Sequence, residues 1–78
     1  MENYKVVSSN IAGIDYDPIN RVLYMTFKNG KKYAYLEVNG GDVIDLVNAD
    51  SIGKHFSQHI RGHFKFYEIQ PIKKDPED

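Results

Sequence analysis

Two runs of β-forming residues meet at Asn29-Gly30 in residues 21–38, RVLYMTFKNGKKYAYLEV, and the architecture of the chain follows from them. Alternation in the first run puts Leu23, Met25 and Phe27 on one face, which we expect to be the core face. An Asn-Gly pair between such runs is typical of a two-residue type I′ turn, because both residues tolerate a positive φ. The sequence therefore predicts an antiparallel hairpin centred on Asn29-Gly30.

The return strand of this hairpin is Lys31–Val38, in which side chains also alternate. Tyr33 and Tyr35 share one face, whereas the aliphatic side chains between and after them share the other. With a preceding strand at Ile11–Tyr16, the chain from Ile11 to Val38 reads as a three-stranded antiparallel meander. We expect one aliphatic face and one face that carries tyrosines and charge.

The turns upstream of the hairpin have simple explanations. Ser8-Ser9-Asn10 predicts a bulge or turn, because short hydroxyl and amide side chains compete for backbone hydrogen bonds. Asp17–Asn20 predicts a turn in which Asp17 accepts from its own backbone downstream. A serine nucleophile among residues 8–10, or a carboxylate pair of Asp15 and Asp17, is the chemical alternative, but no Gly-x-Ser-x-Gly elbow accompanies the serines.

Two short helices are predicted after the meander. The first spans Val43–Ala49 with Asp42 as its N-cap, and the second is capped by Ser51. The second helix carries a stripe of apolar residues at i, i+4 and i+8 (Ile52, Phe56 and Ile60). Gly62 lies where a helix commonly ends in the left-handed conformation, and residues 64–69 predict a fourth short strand or an extended aromatic segment.

The predicted fold is therefore α+β, a three- to four-stranded antiparallel meander with two short helices packed on its aliphatic face. We expect one domain over residues 1–70 and a disordered charged tail over residues 71–78. The chain has no cysteine, which excludes disulfides and thiolate metal sites. No apolar run approaches the roughly 18 residues of a membrane span, and the start lacks the apolar core of a secretory signal, so we expect a soluble cytoplasmic protein that does not contact membranes.

One cationic segment stands out in this nearly neutral chain. Between Asp50 and Glu68 the formal charge is +3, whereas that of the whole chain is −1. At the start of the second helix, Gly53 costs about 1 kcal/mol relative to Ala and Lys54 opposes the helix dipole. Such unfavourable choices suggest an anion bound at Ser51, Gly53 and Lys54; the alternative is that Gly53 allows close packing on the sheet and Lys54 pairs with Asp50.

The same segment holds all three histidines, His55, His59 and His63, at a spacing of four residues. This spacing allows a two-ligand metal site, but catalytic zinc usually has three protein ligands and Gly62 is expected to end the helix before His63. Surface or half-buried histidines are therefore the favoured interpretation. We expect no metal ligand, no cofactor and no catalytic residue.

The chain resembles the KTSC domain, a small module named for its occurrence at the C-terminus of some lysyl-tRNA synthetases and also found alone in bacteria and phages. The resemblance covers roughly residues 6–67 and rests on the following residues: Val7–Ile11, Ile14, Tyr16-Asp17, Leu23, Phe27, Gly30, Tyr33, Tyr35, Leu46, Ala49, Ser51, Gly53, Phe56, Ile60-Arg61 and Phe64. The chain departs from the family pattern at Asp15, Asn39, Ser57 and Phe64. The resemblance implies no catalytic activity, and its association with a tRNA synthetase points to RNA or a nucleotide.

Our leading functional hypothesis is a non-enzymatic module that binds RNA, a nucleotide or another anionic ligand. The phosphate contacts are assigned to Ser51, Gly53, Lys54 and Arg61, and stacking on a base to Tyr33 or Tyr35. Arg61 has a structural alternative, since an arginine near a helix C-terminus can bond carbonyl groups or the turn at residues 8–10.

The second hypothesis is a protein-interaction module or homodimer that uses the tyrosine face or an edge strand near Val7. The third is a hydrolase or metal site built on the histidines. Salt-dependent nucleic-acid binding, oligomeric state and metal content distinguish these three hypotheses.

Overall fold

A computed structural model describes residues 1–70 as a five-stranded antiparallel sheet in the order β1-β2-β3-β4-β5, with two helical segments between β4 and β5. The strands are β1 (Glu2–Tyr4), β2 (Ile11–Asp17), β3 (Val22–Phe27), β4 (Lys32–Tyr35) and β5 (Phe66–Ile69). The helical segments are α1 (Gly40–Val47) and α2 (Ile52–His55), and α2 continues into a π-helical turn at Phe56–Ile60. The predicted α+β class is confirmed, and the charged tail at residues 71–78 lies outside the described residues.

The sheet has more strands than the sequence predicted. The polar start of the chain forms β1, in which Asn3 pairs with Asp15 and donates from Nδ2 to its Oδ1 at 2.7 Å. The aromatic segment at Phe66–Ile69 is a strand, β5, paired with β4. β1 and β5 are thus the two edges of the sheet.

The β3–β4 hairpin is confirmed, but its loop is not the predicted type I′ turn. Phe27 N donates to Lys31 O at 2.8 Å and Gly30 N donates to Phe27 O at 2.9 Å, so three residues form the loop. Gly30 has a φ of +91°, whereas Asn29 is not among the residues with positive φ. This is a type I turn followed by a glycine bulge, and Asn29 supports it by accepting from Lys31 N at 3.0 Å through Oδ1.

The extra loop residue shifts the register by one and exchanges the faces of β4. Tyr35 pairs with Leu23 and Tyr33 pairs with Met25, so both tyrosines lie on the face that carries the core. The prediction of a separate tyrosine face is therefore wrong. The helix-free face carries Ala34 between Tyr24 and Tyr67, its neighbours in the register.

The helices cover the face that carries Leu23 and Met25, both of which are fully buried. The predicted stripe of the second helix is confirmed, because each of its three side chains is buried in the core cluster. The cluster consists of Ile11, Ile14, Tyr16, Leu23, Met25, Tyr35, Val38, Val43, Leu46, Ile52, Phe56 and Ile60. Among residues 1–70, neither helical segment combines the length and apolarity needed to cross a bilayer.

The predicted start of the first helix is wrong by about one turn. α1 begins at Gly40 and its N-cap is Asn39, whose side chain makes no capping hydrogen bond, so Asp42 lies in the first turn instead of capping it. Ser51 caps α2 as predicted, since its Oγ accepts from Lys54 N at 3.3 Å. Gly62 follows the π-helical turn with a φ of +82°, as the sequence predicts.

A buried hydrogen bond joins the sheet to the segment that leads into α1. The Tyr16 hydroxyl donates to Val38 O at 2.6 Å, and Tyr16 is only 3% exposed. Val38 itself is fully buried, and its N–H donates to Arg21 O at 2.9 Å. The bond therefore fixes the chain where it leaves β4.

We expect Tyr16→Phe to lower the free energy of unfolding by about 1–3 kcal/mol, because the carbonyl of Val38 is left buried without its donor. Urea unfolding followed by circular dichroism measures this loss. Tyr24→Phe on the helix-free face is the matched control and should change stability by less than about 0.5 kcal/mol. Equal effects of the two substitutions would show that the hydrogen bond from Tyr16 to Val38 does not contribute this stability.

Candidate functional site

The turn before β2 is closed by its own polar side chains. Ser8 Oγ accepts from Asn10 N at 3.3 Å and from Ile11 N at 3.2 Å, and it donates to Asn10 Oδ1 at 3.2 Å. The predicted backbone-capping role of Ser8 is confirmed. These bonds hold the Asn10 side chain against the start of α2, where a Cβ on Gly53 would lie 3.1 Å from Asn10 Oδ1.

The close approach at Gly53 bears on why a glycine stands there. The sequence allows two reasons, a bound anion or close packing on the sheet, and the group that packs against Gly53 is the Asn10 side chain, directly before β2. A glycine at this position is therefore explained by packing between the β2 approach and α2. A side chain at residue 53 would need Asn10 to move by a few tenths of an ångström.

Phe56 places the second helix on the sheet. Its ring meets Phe27 at a centroid distance of 5.5 Å and Tyr35 at 5.4 Å, both edge to face. On the other side of Tyr35, Phe66 stacks at 5.4 Å, and Tyr33 meets Phe66 at 6.0 Å. The result is a continuous aromatic layer that runs from β3 to the edge strand β5.

Beside this layer lies an open hollow of about 490 Å³, which we call the aromatic hollow. It is lined by Asn10, Ile11, Phe27, Asn29, Lys31, Tyr33, Tyr35, Gly53, Phe56, Ser57, Arg61, Gly62 and Phe66. Two of these side chains are cations and none is an acid. The sheet, the β3–β4 loop and the end of the π-helical turn each contribute one part of the wall.

The polar groups of the aromatic hollow are mostly hydrogen-bond donors. Asn29 Oδ1 is occupied by Lys31 N and Asn10 Oδ1 by Ser8 Oγ, which leaves the NH₂ group of each amide to donate. Arg61 and Lys31 have donors only, and the hydroxyls of Ser57 and the tyrosines can donate or accept. The arrangement suits a ligand that is flat on one part and rich in acceptors or negative charge on another.

A second hollow of about 560 Å³ adjoins the first, and we call it the hydroxyl hollow. Its lining is Val7, Ser8, Ser9, Asn10, Asp50, Ser51, Ile52, Gly53, Lys54, Ser57 and Gln58. Asn10, Gly53 and Ser57 line both hollows. The hydroxyl hollow contains one cation and one acid, so it is polar without a strong net charge.

The structure divides the six predicted site residues between these hollows. Arg61, Tyr33, Tyr35 and Gly53 line the aromatic hollow, and Ser51 and Lys54 line the hydroxyl hollow, which Gly53 also borders. The lining of the aromatic hollow includes seven further polar or aromatic residues that were not predicted as site residues: Asn10, Phe27, Asn29, Lys31, Phe56, Ser57 and Phe66. Of these residues, only Asn29 and Lys31 could have been found from the sequence, because they flank the glycine of the predicted hairpin turn.

The histidines take no part in either hollow. His55 and His59 lie with their ring centroids 4.5 Å apart, tilted by 37°. Within residues 1–70, no group of three or more His, Cys, Asp or Glu side chains is arranged to hold a metal ion. These two imidazoles therefore contact each other across the junction of α2 and the π-helical turn, His55 half-buried and His59 exposed.

The positive charge of Arg61 acts on Tyr35, and both residues line the aromatic hollow. Burial raises the pKa of the Tyr35 hydroxyl, and the positive charge of Arg61 offsets part of that increase. Arg61 is itself exposed, directly before Gly62. The guanidinium is thus close to the aromatic layer and accessible from solvent.

Comparison with known proteins agrees with this architecture. A family model described as the KTSC domain matches residues 7–64. An uncharacterized protein of Stutzerimonas stutzeri is 33% identical over 70 residues, which cover 88% of this chain and 99% of that protein. The crystal structure of a KTSC domain protein from Yersinia pestis superposes with a TM-score of 0.81 at 36% identity, covering 88% of this chain and 97% of that one.

A lysine–tRNA ligase of Nostoc punctiforme is 35% identical over 65 residues, which cover 83% of this chain but only 12% of the ligase. The chain therefore corresponds to a small part of that enzyme. The family resemblance predicted from the residues is confirmed by these matches.

We expect the pKa of Tyr35 to lie above the ordinary tyrosine value of about 10, and Arg61→Ala to raise it further by removing the nearby positive charge. Because the raised pKa favours the neutral hydroxyl in the folded state, Tyr35 contributes its stability in full below pH ~10. This contribution is lost as the pH rises through the folded pKa. Titration of the tyrosine ¹³Cζ resonances by NMR measures the change.

Arg21→Ala is the crossed control for this titration. The charge of Arg21 lowers the pKa of Tyr16, so its removal should raise the pKa of Tyr16 and leave that of Tyr35 unchanged. If Arg61→Ala leaves the titration of Tyr35 where it was, Arg61 does not lie over the aromatic layer.

Proposed function

The chain belongs to the KTSC domain family, and we propose that it is a non-enzymatic binding module for an anionic ligand that carries an aromatic base, namely RNA or a nucleotide. The observation that carries this proposal is the aromatic hollow. It combines an aromatic wall, two cations and amide donors, and it has no acid in its lining.

The charge of the hollow supports an anionic ligand. The whole chain has a formal net charge of −1, whereas the lining of this concave surface has two cations and no acid, which makes it locally positive. Arg61 offers a planar guanidinium with five donors, which matches phosphate oxygens, and Lys31 adds a second positive charge from the hairpin loop. Phosphate contacts of this kind supply affinity that depends on salt.

The aromatic wall supports a base as the other part of the ligand. Tyr33 and Phe66 are half-buried or exposed at its rim, whereas Tyr35 is 4% exposed and stacks under Phe66. Because Tyr35 is largely covered, we assign stacking on the ligand to Tyr33 and Phe66, with Tyr35 as their support. Stacking of a base on an aromatic side chain contributes about 1–3 kcal/mol and tolerates every base.

The match to lysine–tRNA ligases gives this proposal a context. A lysine–tRNA ligase acts on tRNA, so the region of the ligase that resembles this chain belongs to an RNA-handling protein. Binding is favoured over catalysis because the lining of the aromatic hollow includes no carboxylate or histidine to serve as a general base. A cytoplasmic location, where RNA is available, belongs to the same proposal.

A protein-interaction surface is the second candidate, and it too rests on one observation. The edge strand β5 exposes Phe66 at 55% and Tyr67 at 51%, one on each face of the sheet. The edge we expected near Val7 is instead a loop between β1 and β2, where Val7 is 99% exposed. Light scattering after size-exclusion chromatography supports this candidate if the chain is a dimer whose mass does not change on dilution.

We expect a labelled single-stranded RNA to bind at ~50 mM salt, with an affinity that falls linearly on a log–log plot as salt increases. Arg61→Ala and Lys31→Ala should each weaken binding about tenfold, equivalent to about 1.4 kcal/mol. Each should also reduce the magnitude of the salt slope by about 0.7, the value for one lost phosphate contact on a single strand. Fluorescence anisotropy across a salt series measures both quantities.

Lys28→Ala is the matched control, since Lys28 is an exposed lysine of the same hairpin loop that does not line the aromatic hollow. It should change the affinity and slope much less than Lys31→Ala does. Absence of RNA and mononucleotide binding at ~50 mM salt, or equal effects of Lys28 and Lys31, would refute the proposed function.

A further inference from the structure

We propose that the two hollows form one groove, in which the hydroxyl hollow is a second subsite for the ribose and phosphate of an adjacent nucleotide. This inference rests on the proposed function and specifies its ligand as an RNA strand of at least two nucleotides. It is based on the continuity of the hollows and on the difference in their chemistry.

The continuity comes from shared walls. Asn10, Gly53 and Ser57 border both hollows, so the two hollows are adjacent and share one boundary. At this boundary the Asn10 side chain packs against Gly53, and a Cβ on Gly53 would lie 3.1 Å from Asn10 Oδ1. The absence of a side chain at residue 53 therefore lets Asn10 approach the start of α2, and its amide faces both subsites of the proposed groove.

The π-helical turn contributes Ser57, the third residue that lines both hollows. Ser57 lies in the π-helical turn at Phe56–Ile60, directly after the buried Phe56. π-helical turns are rare, and many occur at functional sites. Here the turn keeps Phe56 in the core while Ser57 is exposed at the boundary of the two hollows.

The two subsites differ in a way that fits successive parts of a nucleotide chain. The aromatic hollow has stacking surfaces, whereas the hydroxyl hollow has Ser9, Ser51 and Gln58, which offer both donors and acceptors; the Ser8 hydroxyl is already engaged in the turn. A ribose 2′-OH is itself a donor and an acceptor, so such a lining can distinguish RNA from DNA. Lys54 is the one cation of this hollow and is assigned to the phosphate between the two nucleotides.

The sizes agree with one nucleotide in each subsite. The hollows measure about 490 and 560 Å³, and pockets of about 300–1,000 Å³ hold single small ligands. Asp50 also lines the hydroxyl hollow, so its charge balances that of Lys54. This subsite therefore suits a ribose with a singly charged phosphodiester better than a doubly charged terminal phosphate.

Calorimetric titration with three probes tests the inference: adenosine monophosphate, the 5′-phosphorylated ribo-dinucleotide pApA and its deoxyribo analogue. We expect pApA to bind at least tenfold more tightly than the mononucleotide, and the deoxyribo analogue to lose most of that gain. Lys54→Ala should bring pApA to within about threefold of the mononucleotide and weaken binding of pApA much more than that of the mononucleotide. Lys5→Ala, an exposed lysine that lines neither hollow, should change neither affinity.

The outcomes separate this inference from the proposed function. If the mononucleotide binds and pApA shows no gain, or if Lys54→Ala weakens both probes equally, the second subsite is refuted and the proposed function stands. Equal binding of the ribo- and deoxyribo-dinucleotides refutes the ribose assignment. If no probe binds at ~50 mM salt, both the inference and the proposed function fall.

Discussion

The edge-to-face packing of Phe56 between Phe27 and Tyr35 is the contact on which the candidate site depends. It attaches the second helix to the sheet at centroid distances of 5.5 and 5.4 Å. With Ile52 and Ile60 of the same helical segment also buried in the core, the start of the helix meets the turn before β2 at Gly53, and Arg61 follows its end beside the aromatic layer. The aromatic hollow lies between the sheet, the β3–β4 loop and the end of the π-helical turn, so the packing that builds the core also forms one wall of the site.

The sequence predicted most elements of the fold correctly but predicted the wrong register between β3 and β4. Alternation and Asn29-Gly30 predicted the hairpin correctly, and the i, i+4, i+8 stripe predicted the buried side of α2. Asn-Gly is compatible with loops of two and of three residues, so the pair alone does not determine the register of the hairpin. Asn29 Oδ1 binds Lys31 N, the loop has three residues, and the one-residue shift moves Tyr33 and Tyr35 to the core face.

The candidate site was predicted in part, for reasons that the register explains. Arg61 was predicted for its charge, and the structure places it beside the aromatic layer, directly after the π-helical turn. The tyrosines were selected as an open platform, yet they reach Arg61 only because they lie on the helix-covered face. Asn10 and Phe66 could not be selected, since their place in the hollow depends on long-range packing of the β2 approach and of β5, which no local pattern encodes.

The measurement that tests the account most directly is a ¹H–¹⁵N NMR titration of the labelled chain with adenosine monophosphate. Binding in the aromatic hollow should shift the side-chain amides of Asn10 and Asn29 and the backbone amide of Gly62, while Ala34 on the helix-free face stays unchanged. Shifts centred on Ala34 and Tyr67, with Asn10 and Asn29 unaffected, would place the ligand on the opposite face of the sheet and contradict the account.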